Sequence, residues 1–333
     1  MKIVALEEHF ITQEVTRTNA AVVPRWCDDS AQFMKPGSDM ERRLYDLSVE
    51  RIRLMDETGV DVQILSLTTP GVQTVEPGDA YDLARRTNDL LAHTVAARPD
   101  RFGGFATLPT PAPLAAAREL ERAVTELGLH GAMIFGRTRD RPADADEFLP
   151  IYEAAASLGV PLYLHPQIPD RPVRDSVYAG LGDKLDLNLA MGGVGWHYET
   201  GVQLLRLVLS GVFDRFPDLQ VITGHWGEVI LFYLERAALL APVAKLQRPL
   251  IDYFRRNVSV TPSGIFSARY LRWAIEVLGV ERIMFSTDYP YVYAPAGGAR
   301  GFLEQADLSP DDRAKIAHGN WDRLCARNAG AST

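Results

Sequence analysis

Short apolar runs separated by amphipathic stretches recur along the whole chain. The first, Ile3 to Leu6, is strand-forming and stops abruptly at Glu7-Glu8-His9. Residues 11–38 then show no sustained period and contain Pro24, Pro36 and Gly37, which predicts a long loop beside a strand end. Residues 39–58 follow a helical period, with Leu44, Leu47, Ile52 and Met55 on one stripe and Gly59 as the stop. The same alternation predicts strands over 62–67, 102–108, 131–136, 160–165, 219–225, 257–261 and 282–288. Between them it predicts helices over 79–97, 113–127, 147–158, 201–213, 228–240 and 267–278.

Eight apolar strands separated by helices is the pattern of an α/β fold of the (β/α)8 TIM barrel type. A single barrel domain over residues 1–333 is expected. The rhythm breaks once, over about 167–199, a stretch rich in Pro, Asp and Gly where a barrel loop takes a handful of residues. Met191, Val194, Trp196 and Tyr198 give that stretch something to bury. It is therefore expected as an ordered insertion after strand five, over the C-terminal mouth.

Composition narrows the function. The 333 residues are 47% hydrophobic and 23% charged, ordinary for a chain with a large core. A formal net charge of −8 argues against nucleic acid or an anionic membrane as the main partner. There is no charged leader with an apolar run behind it and no long apolar span, so a cytoplasmic location is expected. Cys27 and Cys325 are too few for a disulfide scaffold, and each is expected as a buried thiol.

The candidate chemistry sits at the strand ends. Side chains alternate along a strand, so Glu7 and His9 share one face and Glu8 points away. His165, His225 and Asp288 end the fifth, sixth and eighth strands, on the rim where barrel enzymes place their active sites. Carboxylates and imidazoles without thiolates suit Zn2+ or Mn2+. His93, His130 and His318 read as surface or capping residues, with His318 closing the last helix. His197, beside Trp196 in the insertion, is a candidate pocket-lining residue.

Four motifs in order carry a family resemblance: Glu7-x-His9, His165-Pro166, Gly224-His225-x-Gly227-Glu228 and Ser286-Thr287-Asp288-Tyr289-Pro290. They resemble the amidohydrolase superfamily. More narrowly they are similar to its metal-dependent, non-oxidative decarboxylase branch, which includes the γ-resorcylate, 2,3-dihydroxybenzoate, 5-carboxyvanillate and aminocarboxymuconate semialdehyde decarboxylases. The likeness extends through Ser210 to Pro217 and on to Ile316 to Asn320, nearly end to end. Glu7-x-His9 in place of the superfamily's commoner His-x-His points to the aromatic-acid members. No lysine ends strand four, which implies one divalent metal, Zn2+ or Mn2+.

The resemblance implies a metal held by Glu7, His9, His165 and Asp288, with contact from His225 left open. It implies decarboxylation of a small aromatic acid bearing a hydroxyl ortho to its carboxylate, by ring-carbon protonation and then loss of CO2. Asp288 would donate the proton, and His225 and Glu228 would hold and recharge it. The implied assembly is a homodimer or dimer of dimers, with Arg236 reaching the neighbouring protomer's substrate and Arg51 supplying a second cation. The alternative is hydrolysis of a lactone or amide, with His225 as base toward a metal-bound water. A catalytically silent barrel is disfavoured because every ligand and acid position is filled.

Departures from the resorcylate pattern concern the pocket. Phe135-Gly136-Arg137 stands where those enzymes have Asn-Gly, and Val22-Val23 stands where a loop phenylalanine is common. Tyr291-Val292-Tyr293 replaces an acidic residue. Phe135, Trp196, Tyr291 and Tyr293 are therefore expected as walls for a bulkier or less polar ring.

Overall fold

In the computed structural model, which describes residues 1–23, 25–26, 28–30 and 35–330, β1 (Val4–Phe10) is buried along its whole length. It pairs in parallel with β2 (Val62–Leu67), and β2 pairs with β3 (Phe102–Gly104). The strand resumes after Phe105 as β4 (Ala106–Thr107), which pairs with β5 (Ala132–Phe135). A small antiparallel hairpin of β6 (Arg137–Thr138) and β7 (Arg141–Pro142) follows. From β5 the order continues through β8 (Pro161–His165), β9 (Gln220–Thr223) and β10 (Val258–Val260), all parallel.

Residues 283–289 close the ring. Met284 N donates to Val260 O at 2.9 Å, Leu6 N donates to Phe285 O at 3.0 Å, and His9 N donates to Tyr289 O at 2.7 Å. Parallel bridges join Val260 to Ile283 and Glu8 to Tyr289. The fold is a (β/α)8 barrel whose eighth strand is extended but too sparsely paired to form a regular ladder. Val4, Leu6, Phe105, Met133, Tyr163, Ile222 and Met284 pack inside, and Trp321 and Leu324 of the last helix (Asn320–Gly330) join them. Ile3, Ala5 and Phe10 face the outer core between strands and helices.

β1 carries an irregularity that matters for chemistry. Val4 and Leu6 face inward, so strict alternation would turn Glu8 inward next. The register with β2 shifts between Ala5 and Glu8, and the phase flips. A bulge re-aims the residues that follow it. Glu7 and His9 consequently face the interior.

Several predicted elements need correction. Residues 13–20 are a helix (Gln13–Ala20), with Thr12 Oγ1 accepting Val15 N at 3.1 Å as its cap. The expected helix over 39–58 is two, Asp39–Tyr45 and Val49–Thr58. The break comes where Asp46 turns its carboxylate onto Ser48 N, a side-chain bond that competes with helix. Helices Leu250–Asn257 and Gly298–Glu304 were not foreseen. His318 does not close the last helix, because the chain stays helical from Pro310 to Gly330; it pairs with Asp322 at 2.7 Å. Pro24 and Cys27 lie outside the described residues.

The insertion is ordered and largely helical, and its end belongs to a helix, Gly195–Leu209, that starts earlier than predicted. Met191 and Ile168 are buried in a small cluster against Trp196, whereas Val194 and Tyr198 are exposed, contrary to expectation. Arg137, just past β5, ties the insertion to the rim: Nε meets Asp170 Oδ1 at 2.8 Å and Nη2 donates to Ile168 O at 2.8 Å. Among the described residues no helix is long and apolar enough to cross a membrane.

Candidate active site and metal centre

Four side chains converge at the C-terminal mouth. One ligand atom from each of Glu7, His9, His165 and Asp288 lies within 4.8 Å of every other. His165 Nε2 is 3.3 Å from Glu7 Oε1, and His9 Nε2 is 3.3 Å from Asp288 Oδ1. Glu7 Oε1 and His9 Nε2 are buried and have no hydrogen-bond partner among the described residues. Buried polar atoms are nearly always satisfied, and a shared divalent cation satisfies both at once. The donor set fits one such ion. β5 ends in Phe135, not in a lysine that could bridge a second.

The surroundings prepare each donor. His165 Nδ1–H donates to Pro166 O at 2.8 Å, leaving the Nε2 lone pair free for a metal. Burial, then the neighbouring His9, pushes the His165 imidazolium down to about 3, so the ring is neutral. Glu7 Oε2 accepts Tyr163 Oη at 2.6 Å and also the Ser263 hydroxyl, which directs Oε1 to the centre. A Cβ on Gly224 would stand 2.4 Å from Ser263 Oγ and 2.8 Å from Glu7 Oε2, so only glycine fits there. On the opposite face, Glu8 accepts Thr287 N at 2.8 Å and Thr287 Oγ1 at 2.6 Å, clamping the residue before Asp288 onto β1. Burial pushes the Glu8 carboxyl up to about 8 despite those bonds.

A chain of acids and bases runs outward from Asp288. His225 Nε2 lies 3.8 Å from Asp288 Oδ2, and His225 Nδ1–H donates to Glu228 Oε1 at 2.7 Å. Glu228 Oε2 accepts His197 Nδ1–H, also at 2.7 Å. Both Nδ1 atoms are thereby used in hydrogen bonds to one carboxylate, so this second cluster is a hydrogen-bonded triad. Burial opposes charge on Glu228, yet His225 and His197 pull its carboxyl down to about 2. Burial likewise opposes the His225 cation, but Glu228 and Asp288 hold it well above the ordinary imidazole value. Asp288, which burial alone would raise, is held well below the usual carboxylate range by the neighbouring His225 and His9 imidazoles.

A family model described as Amidohydrolase matches residues 37–324. The chain belongs to the amidohydrolase family. The γ-resorcylate decarboxylase of Polaromonas sp. (strain JS666) is 38% identical over 338 residues, 98% of each chain. The solved 5-carboxyvanillate decarboxylase from Sphingomonas paucimobilis superposes with a TM-score of 0.87 at 37% identity, covering 98% of this chain and 99% of that one. The structure of a dihydroxybenzoic acid decarboxylase from Polaromonas sp. JS666 holds manganese and the inhibitor 2-nitroresorcinol. Its TM-score is 0.83 at 37% identity, covering 98% and 97%.

Within this amidohydrolase the expected walls divide. The Phe135 ring stands edge-on to His165 with centroids 5.4 Å apart, and the Tyr291 ring stands 5.6 Å from His9 with its hydroxyl 2.8 Å from Thr68 Oγ1. Both border the four donors. Trp196 instead packs in the insertion and donates Nε1–H to His197 Nε2 at 3.1 Å. Tyr293 is instead hydrogen-bonded to Glu57, with the Arg43 guanidinium over its ring.

The two expected arginines also part company. Arg51 is fully buried on the Glu8 side of β1, where Nε donates to Asp46 O, Nη1 to Gln63 Oε1, and Nη2 to His9 O at 2.6 Å. Every guanidinium nitrogen is engaged within the protein, so the expected second cation for the substrate is instead a brace for β1. Arg236 is exposed on helix Ile230–Ala237, beside the exposed rings of Phe232 and Tyr233. His197, rated above only as a pocket wall, proves to be joined to the acid chain. Tyr163 and Ser263, which hold Glu7, gave no sequence signal, since each acts across the barrel.

Proposed function

We propose that the chain catalyses metal-dependent, non-oxidative decarboxylation of an aromatic acid with a hydroxyl ortho to its carboxylate. One observation carries this reading: His225, held by Glu228, stands behind Asp288, which borders the four-donor centre, so a chain of acid and base groups ends where a substrate's ring carbon would meet a proton. A two-metal hydrolytic centre would call for a bridging lysine at the end of β5, where Phe135 stands instead. Manganese in the Polaromonas structure makes Mn2+ the first choice of ion, with Zn2+ second. Bound, the ion would orient the substrate's carboxylate and ortho oxygen and offset their charge.

The residues supply the proton. Asp288 takes it from His225 and delivers it to the ring carbon that bears the carboxylate. That carbon becomes tetrahedral and aromaticity is lost, so this is the costly step. The carbon–carboxylate bond then breaks, its electron pair returns to the ring, and CO2 leaves. Glu228 stays anionic throughout and holds His225 in place. Phe135 and Tyr291 flank the ring.

The partner reading is a homodimer in which Arg236 of one protomer meets the substrate carboxylate of the other. Its support is a surface of Phe232, Tyr233 and Trp273 rings packed edge to face around that helix, with Phe232 69% exposed. Large exposed apolar patches mark association sites.

The test is direct. The purified protein is assayed for bound metal, stripped by chelation, reloaded with Mn2+ or Zn2+, and given a panel of hydroxybenzoates while CO2 is followed. Turnover that disappears with the metal and returns with it is expected, with solvent deuterium entering the ring at the vacated carbon. Release of hydrolysis products without CO2 would sink the reading.

A further inference from the structure

The acid chain does not end on the barrel. Glu228 is buried, with φ +52°, in a run of left-handed residues from His225 to Val229. Such backbone persists only where its surroundings hold it. One oxygen of this carboxylate belongs to His225, and the other belongs to His197 from the insertion. The two imidazoles lie 4.5 Å apart, so the carboxylate is gripped from both sides.

Two features fix His197 in this role. Trp196 Nε1–H donates to His197 Nε2 at 3.1 Å, while the Gly192 carbonyl is the longer contact at 3.3 Å. An accepting Nε2 leaves the proton on Nδ1, where it donates to Glu228. The second feature is Gly201, four residues on and on the same helix face. A Cβ there would lie 2.4 Å from Glu228 O, so its absence lets the helix Gly195–Leu209 seat directly on the Glu228 backbone.

We propose that His197 is a positioning residue for the proton transfer: its Nδ1–H pins Glu228 Oε2, so that Oε1 holds His225 with Nε2 aimed at Asp288. The kinetic part rests on the decarboxylase reading. The orientation of His225 does not. The insertion thus reaches the acid chain itself.

The test uses wild type, His197→Ala and His197→Asn, each loaded with diamagnetic Zn2+. Asparagine keeps an N–H donor near the position of Nδ1 but cannot carry a proton onward. Histidine ring 1H–15N spectra should show a downfield, Glu228-bonded His225 Nδ1–H in wild type and in His197→Asn, weakened or lost in His197→Ala. With a turned-over substrate, His197→Ala should lower kcat by roughly 10–100-fold with KM and metal content little changed, and His197→Asn should recover most of that loss. An unchanged resonance or an unchanged kcat in His197→Ala overturns the proposal. So does an asparagine variant as impaired as the alanine one, or a loss that appears in KM or metal content. Should wild type decarboxylate no member of the panel, the decarboxylase reading fails by itself, and the His225 resonance still decides the positioning.

Discussion

His225 and Asp288 face each other at 3.8 Å, Nε2 to Oδ2, and both hold left-handed backbone, with φ of 47° and 61°. Neither is a glycine, so each conformation costs about 1–3 kcal/mol that the surrounding barrel must supply. Their separation is longer than a hydrogen bond, as acid–base pairs often are before substrate tightens them.

Replacing Asp288 with asparagine should leave most of the metal bound, because the amide oxygen still ligates weakly. Turnover should fall about 10²–10⁴-fold, the usual weight of a lost general acid. Metal analysis and CO2 assays on one preparation check both halves. Wild-type rate at full occupancy would remove Asp288 from the donor role.

Acid stability should depend on His165. Its folded value, about 3, lies below the unfolded 6.5, so between those pH values the unfolded chain binds a proton that the folded chain refuses. His165 therefore contributes stability that is present above pH 6.5 and is lost as pH falls toward 3. Thermal melts of metal-free wild type and His165→Gln should diverge across that window, the variant losing less on acidification. Parallel curves would contradict the neutral, buried imidazole.

Phe135 and Tyr291 border the four donors with ring faces and edges, so the best substrate should be bulkier or less polar than a simple dihydroxybenzoate. Apolar walls reject an unpaired hydroxyl only weakly, about 10²-fold at most, so tolerance should be broad. Initial rates across the panel decide this. γ-Resorcylate as the best substrate would refute it.

Mixing two inactive homodimers, Arg236→Ala and Asp288→Asn, should restore activity under conditions of proven subunit exchange. One site in each heterodimer regains both residues. Recovery toward a quarter of the wild-type sites is the statistical expectation for random exchange of equal amounts, by simple pairing. No recovery would remove Arg236 from any role in a neighbouring protomer's site.

The metal donors were legible because each ends an apolar strand, a signal confined to a few neighbouring residues. What supports them was not. Tyr163, Thr261, Ser263 and Ser286 meet Glu7 or one another across the closed ring, and their hydroxyls look like ordinary strand residues. Arg51 was assigned to the substrate through the resemblance alone, and no local pattern shows that the carbonyls of His9 and Arg43 surround its guanidinium. The helix Gln13–Ala20 escaped because only Val15 among its residues is buried, leaving no apolar stripe. The bulge in β1 left no trace either, because alternation gives the correct shared face for Glu7 and His9 without revealing which face that is.

The clamp of Glu8 on Thr287 spans 279 positions of sequence. A growing chain therefore owns two of its donors from its first residues and the fourth only near its end. Loop closure over such a separation comes late and slowly. Until residues 283–289 have slotted between β10 and β1, a nascent chain offers an ion only an incomplete cage. Tight metal uptake would thus report that residues 283–289 are in place: a fragment stopping before Ile283 should be a weak metal binder, whatever the quality of its first seven strands.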